Sequence, residues 1–403
     1  MPALSRANAF LTKYMVFSAC FIGGSIANGQ DFIKPYVGTI YSINSNFFKV
    51  SDTAEAVSIT GSNDKGEEVL QLYAGLDGEV PMSRQALEYG LRVTNNTHDS
   101  FDQLDNTGHE AYLNLDWRAG QTFSGDLGIK SKKSLTLFTE TQSMTKDMRT
   151  VQEIYFKGTH RFHPDWYASG GLASVDISHN ERERLSRDEN RVWVEVLYAS
   201  NANTRVGFVT SHAQGDYDET QLVGTSAIDN GYKSNNYSAI IYWEGSAKSA
   251  LTARIGITNR KHDDLDDRDY NGSAWHLKYN WNATAKTKVD FSLWRDIGDY
   301  EEVLGFVKET GASIEPRLDY SPKLSFRMKL KFLEKRFEGD AETDVSNSSV
   351  REDSDVRITL KTVYKMTPKV HTFISYDNSE RDSTQDISDY TSDIWRLGAE
   401  LRF

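Results

Sequence analysis

Leu324-Ser325-Phe326-Arg327-Met328-Lys329-Leu330-Lys331-Phe332 is the stretch on which the fold turns. Apolar side chains take every second position, and a serine or a base stands between them. A strand points successive side chains to opposite faces, so this run paints one greasy wall and one wet, cationic wall. The same rhythm returns in 354–366, with Val356, Ile358, Leu360 and Tyr364 against Arg357, Thr359, Lys361 and Lys365. It returns again in 270–282, with Trp275, Leu277, Tyr279 and Trp281 against His276, Lys278 and Asn280.

Outward from these segments the pattern predicts strands at 33–43, 67–77, 83–94, 108–118, 121–131, 148–161, 166–177, 190–200 and 203–214. The second half continues at 232–245, 249–261, 270–282, 286–297, 312–320, 323–336, 354–366, 369–379 and 390–403. Tight connections such as Ala119-Gly120, Ser321-Pro322 and Thr367-Pro368 alternate with long polar ones such as 44–66, 132–147 and 337–353. That alternation points to a closed antiparallel transmembrane β-barrel of about eighteen strands, with sixteen as the alternative. Short turns would face the periplasm and long loops the exterior. A soluble propeller or sandwich has no reason to alternate its loop lengths, and its sheets need a second apolar face to pack on.

Composition agrees with a barrel. Hydrophobic residues are 38%, charged residues 26% and aromatics 12%. With a mean hydropathy of −0.57, the chain past its N-terminus has no apolar run near the ~20 residues that a spanning helix needs. Evenly spaced aromatics argue against disorder. Arg6 and Lys13 precede the apolar segment Tyr14 to Ile26, and the small residues Ser25, Ala27 and Gly29 follow. This predicts a signal peptide over 1–29, cleaved after Ala27 or Gly29, ahead of a barrel over 30–403. Phe17-Ser18-Ala19-Cys20 weakly resembles a lipoprotein acylation site, but it leaves a very short apolar region. Ordinary cleavage removes Cys20, the only cysteine, and the loss of Arg6 and Lys13 takes the net charge from −12 to −14. Such acidity argues against a nucleic-acid partner.

The chain closes on Trp395, Leu397, Ala399, Leu401 and Phe403, an alternating last strand with a terminal aromatic. Trp395, Leu397, Leu401 and Phe403 are therefore expected to serve as the signal read by the barrel-assembly machinery, with outer-membrane lipid around the finished wall. Aromatics at segment ends, among them Tyr36, Tyr41, Trp117, Phe162, Trp166, Tyr198, Trp281, Tyr320, Tyr364 and Tyr376, fit interfacial girdles.

Charge is the functional signal. Over the strands of clear register, eighteen bases face inward against nine acids. Arg92, Arg161, Arg254, Lys278, Arg327, Lys329, Arg357, Lys361 and Arg396 are the expected pore-lining cations. Rings of Lys and Arg select for anions. A porin-sized barrel holds an aqueous lumen, into which loop 44–66 could fold as a constriction. Asp267-Arg268-Asp269-Tyr270-Asn271-Gly272 begins like a calcium loop, but its twelfth position is Lys278 where that motif needs a glutamate. His276 and His371 face inward with no fixed partner, and no phosphate loop, zinc spacing or nucleophile elbow occurs. The expectation is a non-enzyme with no cofactor and no metal.

Several short motifs add a family likeness. They are Tyr41 leading into Asn44-Ser45-Asn46-Phe47-Phe48, Ser83-Arg84-Gln85, Phe162-His163-Pro164-Asp165-Trp166, Gly215-Asp216-Tyr217, Leu293-Trp294-Arg295 and Trp395-Arg396-Leu397-Gly398. On these the chain resembles the EpsL-type outer-membrane proteins of exosortase-associated exopolysaccharide loci. The resemblance implies a channel in the bacterial outer membrane that exports a polysaccharide, with separate periplasmic export partners and no catalytic residues. The alternative expectation is a general or anion-selective diffusion porin passing a polar or anionic solute. A structural or adhesive barrel, or an outer-membrane hydrolase, is the third.

Overall fold

The computed structural model describes residues 32–403, apart from 140–142, 201–202, 224–225, 265, 267–268, 301–304 and 339–350. The expected signal peptide lies outside the described residues. In chain order the elements are β1 (Ile33–Asn44), helix α1 (Thr53–Thr60), β2 (Glu67–Met82), β3 (Gln85–His98), β4 (Asn106–Ala119) and β5 (Phe123–Leu135). Next come β6 (Met148–His163), β7 (Trp166–His179), β8 (Arg187–Ala199), β9 (Thr204–Tyr217), β10 (Gln221–Val223), β11 (Ser226–Ile228) and β12 (Tyr232–Ser246). The chain ends with β13 (Ser249–His262), β14 (Tyr270–Trp281), β15 (Thr287–Tyr300), β16 (Gly305–Asp319), β17 (Leu324–Glu338), β18 (Glu352–Lys365), β19 (Val370–Ser383) and β20 (Tyr390–Arg402).

Eighteen of these strands form one antiparallel sheet, and it closes because β1 pairs with both β2 and β20. Closure leaves no free edge in lipid, which is the condition for a sheet to cross a membrane. The remaining pair, β10 and β11, is a small hairpin in the long connection after β9. Every strand expected from the alternation is present, and the count is eighteen, not sixteen.

The greasy wall faces out. Phe326 is 40% exposed, Leu360 44% and Ile255 65%, a belt of bare aliphatic and aromatic surface that only lipid can cover. Trp117, Phe162, Trp166, Tyr198, Trp281, Tyr320 and Tyr364 stand on that face near the short turns. Tyr36 departs from the girdle expectation. It is 7% exposed on the inner face, its ring set edge-on to Tyr73 at 6.2 Å and covering Gly75. Its position one pleat from Val37 decides this, not its nearness to a strand end. Several inner-face aromatics lie over a glycine in this way. At Gly171 an added Cβ would stand 2.1 Å from the Trp193 ring and 2.6 Å from the Phe156 carbonyl oxygen. The absent side chain is what lets the indole lie flat on the wall.

Candidate functional site

The β1–β2 connection folds into the lumen. Its helix α1 starts where the Asp52 carboxylate accepts the Glu55 N–H at 2.8 Å, while Glu55 reaches back to the Ser51 N–H. It stops at Gly61, whose φ of +73° lets its N–H bond the Val57 carbonyl oxygen. Phe48 and Val50 from this connection, Ala56 of α1, Phe101 and Leu104 from the β3–β4 connection and Phe138 from the β5–β6 connection form one dry core. The Phe48 ring meets Phe101 at 5.0 Å and Phe138 at 4.7 Å. Three neighbouring loops are thus welded together, since fully burying each large side chain is worth about 1.5–3 kcal/mol.

A polar latch holds the other side. The Asp147 carboxylate accepts from Arg182 Nε at 2.8 Å and Thr136 Oγ1 at 2.9 Å, and meets His179 Nδ1 at 2.8 Å. These hydrogen bonds, led by His179, outweigh burial and hold the Asp147 carboxyl well below the usual carboxylate range.

Between Phe48 and Val50 the chain presents Lys49. Its φ is +59°, a backbone region that non-glycine residues rarely occupy and that clusters at functional sites. Lys49 Nζ donates to Ser392 Oγ of β20 at 2.5 Å and lies 5.4 Å from the Tyr390 ring. Asn46 clasps this turn, donating to the carbonyl oxygens of Val50 at 2.8 Å and Thr391 at 3.1 Å. Burial, with Arg357 the next largest influence, pushes the Lys49 ammonium down to about 8. Thr139 of the β5–β6 connection lines the same small cavity, about 140 Å³, as Lys49, Lys331, Lys335, Arg357 and Arg381. In the ring order β5 and β6 stand nearly opposite β17 and β18, so this loop crosses the lumen.

The wall it reaches is the cationic one. Inward positions of β17 to β20 carry Arg327, Lys329, Lys331, Lys335, Arg357, Lys361, Lys365, Arg381, Arg396 and Arg402 against Asp353, Asp355, Asp377 and Glu400. Elsewhere the register adds inward acids that the sequence pattern had left out, including Asp77, Glu110, Glu189, Glu195, Asp296 and Glu309. The inward positive charge is therefore densest on the β17–β20 arc, continues more thinly over β5 to β9 and β12 to β14, and is reversed by acids on β2 to β4 and on β15 and β16.

The nine expected pore cations all lie on inward positions, at different levels. Arg254 and Lys278 line the wide cavity, about 1180 Å³, beside β5 to β15, together with Lys130, Glu153, Arg191, Trp193 and Trp294. Arg254 donates to Ser238 Oγ at 3.1 Å and to Asn236. Arg161 lines a periplasmic pocket of about 430 Å³ and donates to the Pro164 carbonyl oxygen at the β6–β7 turn. The guanidinium of Arg92 stacks 3.9 Å over the Tyr73 ring. Arg327 stands in the ladder between Arg317 and Lys361. Lys329 pairs with Glu315 at 2.5 Å and Arg357 with Asp377 at 2.9 Å. Lys361 Nζ lies 4.0 Å over the Phe373 ring, and Arg396 stands between Ser42 and Ser375. Sequence reasoning missed Lys49. The signal for it was the apolar run Phe47-Phe48-Lys49-Val50 inside an otherwise polar connection. Of the calcium-like run, Asp267 and Arg268 lie outside the described residues and Tyr270 to Gly272 stand in β14.

Residues 248–403 match the family described as "Putative beta-barrel porin 2". The chain is a bacterial outer-membrane β-barrel. Among solved structures it is similar to Pseudomonas aeruginosa OccK9 (OpdG), at 11% identity and a TM-score of 0.50, covering 92% of this chain and 98% of that one. It is likewise similar to Pseudomonas aeruginosa OccK2 (OpdF), at 8% identity and a TM-score of 0.50 with the same coverage. At such identities the likeness is one of fold alone. No curated protein matches the chain. The porin match overturns the expectation of polysaccharide export and backs its diffusion-porin alternative. Geometry gives a physical reason for the correction. A sliding sugar polymer needs an uninterrupted bore, and here two anchored loops occupy the lumen. Four of the motifs shared with EpsL-type proteins fall at turns and strand ends, where barrel construction itself asks for Pro-Asp and aromatic residues, and the other two lie within β15 and β20.

Proposed function

We propose that the barrel is a diffusion porin whose eyelet favours small anions. The observation that carries this reading is the placement of Lys49 on a lumen-folded loop against the arc where inward bases exceed acids by the widest margin. An anion entering from outside meets Lys49, Lys331 and Arg357 at the narrowest point. It then passes Lys361, Arg396 and Arg327 deeper on the same wall, while Arg254 and Lys278 hold it loosely in the wide cavity. Many weak cationic contacts let a solute move on where one strong site would trap it. Lys329 is already engaged by Glu315 and Arg357 by Asp377, so both contribute less than Lys49. Nothing in this passage involves a chemical step, and the likeness to EpsL-type proteins enters only as a likeness between barrels.

The test is the reversal potential of the purified protein in planar bilayers under a potassium chloride gradient. A sign corresponding to chloride preference is expected; a closed barrel or a cation-selective one refutes the reading.

A further inference from the structure

The wall has a seam. The β14–β15 ladder runs from Trp281↔Val289 up to Trp275↔Arg295 and stops. Both strands continue: β14 stays paired with β13 as far as Arg260↔Tyr270, and β15 stays paired with β16 as far as Tyr300↔Gly305. Among the described residues no ladder pair joins 270–274 to 296–300. At about 3.3 Å per residue this leaves a slot roughly 16 Å tall. Across the β13–β14 ladder Ser273 stands beside Ile257, which is 53% exposed, so the lower part of the slot lies at the level of the lipid belt. Unpaired backbone in hydrocarbon is tolerated only where it is covered or lines a wet cavity.

Here it lines one. The wide cavity reaches Trp275 and Ile297, whose places in the pleat belong to the outward set, together with the inward Trp294, Asp296 and His276. Trp275 and Ile297 are the outward-set residues that this cavity touches, and both stand at the seam. Its upper side is roofed by the start of β16, where Phe306 and Val307 are buried. The Phe306 ring meets Tyr270 at 5.5 Å and His262 at 6.3 Å. The Asp296 carboxylate accepts the Ile297 N–H at 2.9 Å, a local bond that competes with the ladder. At the foot of the slot is Arg295, whose buried Nε has no hydrogen-bond partner among the described residues. Arg295 stands level with Ile255 of the lipid belt, where a guanidinium is suited to a carboxylate, and the indoles and Ile297 are suited to an acyl tail.

We propose that this seam is a lateral portal through which a single-chain amphipathic anion, a long-chain carboxylate, passes between the outer leaflet and the wide cavity with Arg295 meeting its head group. This route is independent of the axial one, because small solutes cross the eyelet whether or not the seam is used.

The test uses the full chain in proteoliposomes, with oleate as probe and chloride conductance as reference. Continuation of the ladder would bring Ser273 opposite Ile297, so Ser273→Cys with Ile297→Cys, in a Cys20→Ser background, bridges the slot on oxidation. Oxidation is expected to slow oleate transfer at least tenfold, reductant to restore it, and chloride conductance to stay put. Unchanged oleate transfer across a bridged seam overturns the proposal. A second measurement needs no bridge. A fatty acid carrying a photoreactive group in its tail should label 271–275 and 296–298 of the unaltered protein above the rest of the belt. Arg295→Gln should weaken that labelling several-fold and Arg295→Lys should retain it. Even labelling around the belt, or labelling of the seam by a two-chain phospholipid probe and not by the acid, refutes the portal.

Discussion

Replacing Lys49 by glutamate tests the eyelet most directly. The change alters the local charge by two units without touching the barrel ladder. A monovalent ion passing about 8 Å from this side chain feels roughly 0.5 kcal/mol per charge in water-like surroundings, so the reversal amounts to about 1 kcal/mol. Screening at about 0.1 M salt, where the Debye length is ~10 Å, removes part of that. The chloride-to-potassium permeability ratio of Lys49→Glu should therefore fall about two- to fivefold, read as a shift of reversal potential in planar bilayers. The wild type carries its own control. Burial, with Arg357 beside it, holds Lys49 down to about 8, so the ammonium is charged below that pH and neutral above it. The charged groups that face it are Arg357, Arg381, Arg396 and Asp377. Anion preference should be full near pH 6 and decline through pH 8 to 9, whereas Lys49→Ala should be flat over the same range. An unshifted reversal potential in Lys49→Glu would refute the reasoning, because Lys49 would then not face the conducting path.

Other outcomes follow from the same geometry. Asp147→Asn replaces the charged acceptor shared by His179, Arg182 and Thr136 with a neutral amide. It should raise open-channel noise and expose the β5–β6 connection to protease, at a local cost of about 1–3 kcal/mol. Because the Asp147 carboxyl sits below its ordinary range, its contribution is present above that range and lost only as pH falls through the lowered value, so wild-type noise at pH 4 should match that at pH 7. Phe48→Ala empties the centre of the three-loop core and should cost about 3–5 kcal/mol there, increasing single-channel conductance while the barrel's heat-modifiable band persists. Gly171→Ala puts a methyl group into the Trp193 ring; overpacking costs about 1–3 kcal/mol, and the unfolding temperature in detergent should drop. Deleting Phe403 is expected to lower the amount of protein reaching the outer membrane, measured by fractionation against an unaltered barrel.

The strands were legible because lipid on one side and water on the other impose a contrast with a period of two. That contrast fades above the membrane. β16 begins at Gly305, well before the expected 312, because Lys308 and Thr310 on its outer face meet no hydrocarbon and look like loop residues. Helix α1 was written in the sequence as Asp52, Glu55 and Gly61, but eight residues inside a polar connection carry little periodicity. The nine expected cations occupy inward positions of the ladder, since face follows from parity alone. Their electrostatic weight was misjudged because acids such as Glu189 lie in strands whose register or limits were unclear, and because Asp355, at the start of the clear segment 354–366, was left out of the inward set. Lys49 and Arg295 depend on how a loop folds back and where a ladder ends, and neither is set by local periodicity.

The eyelet also ties selectivity to the order in which the molecule is built. Its loop-borne half, from Asn46 to Phe138, comes from the connections between the first six strands, while the surface it presses against comes from the last four. Lys49 with Ser392, and Asn46 with Thr391, span almost the whole polypeptide. These contacts can form only once the first and last strands have zipped together. A nascent barrel still open at that junction would leak without discrimination, so the filter is completed by the final act of assembly.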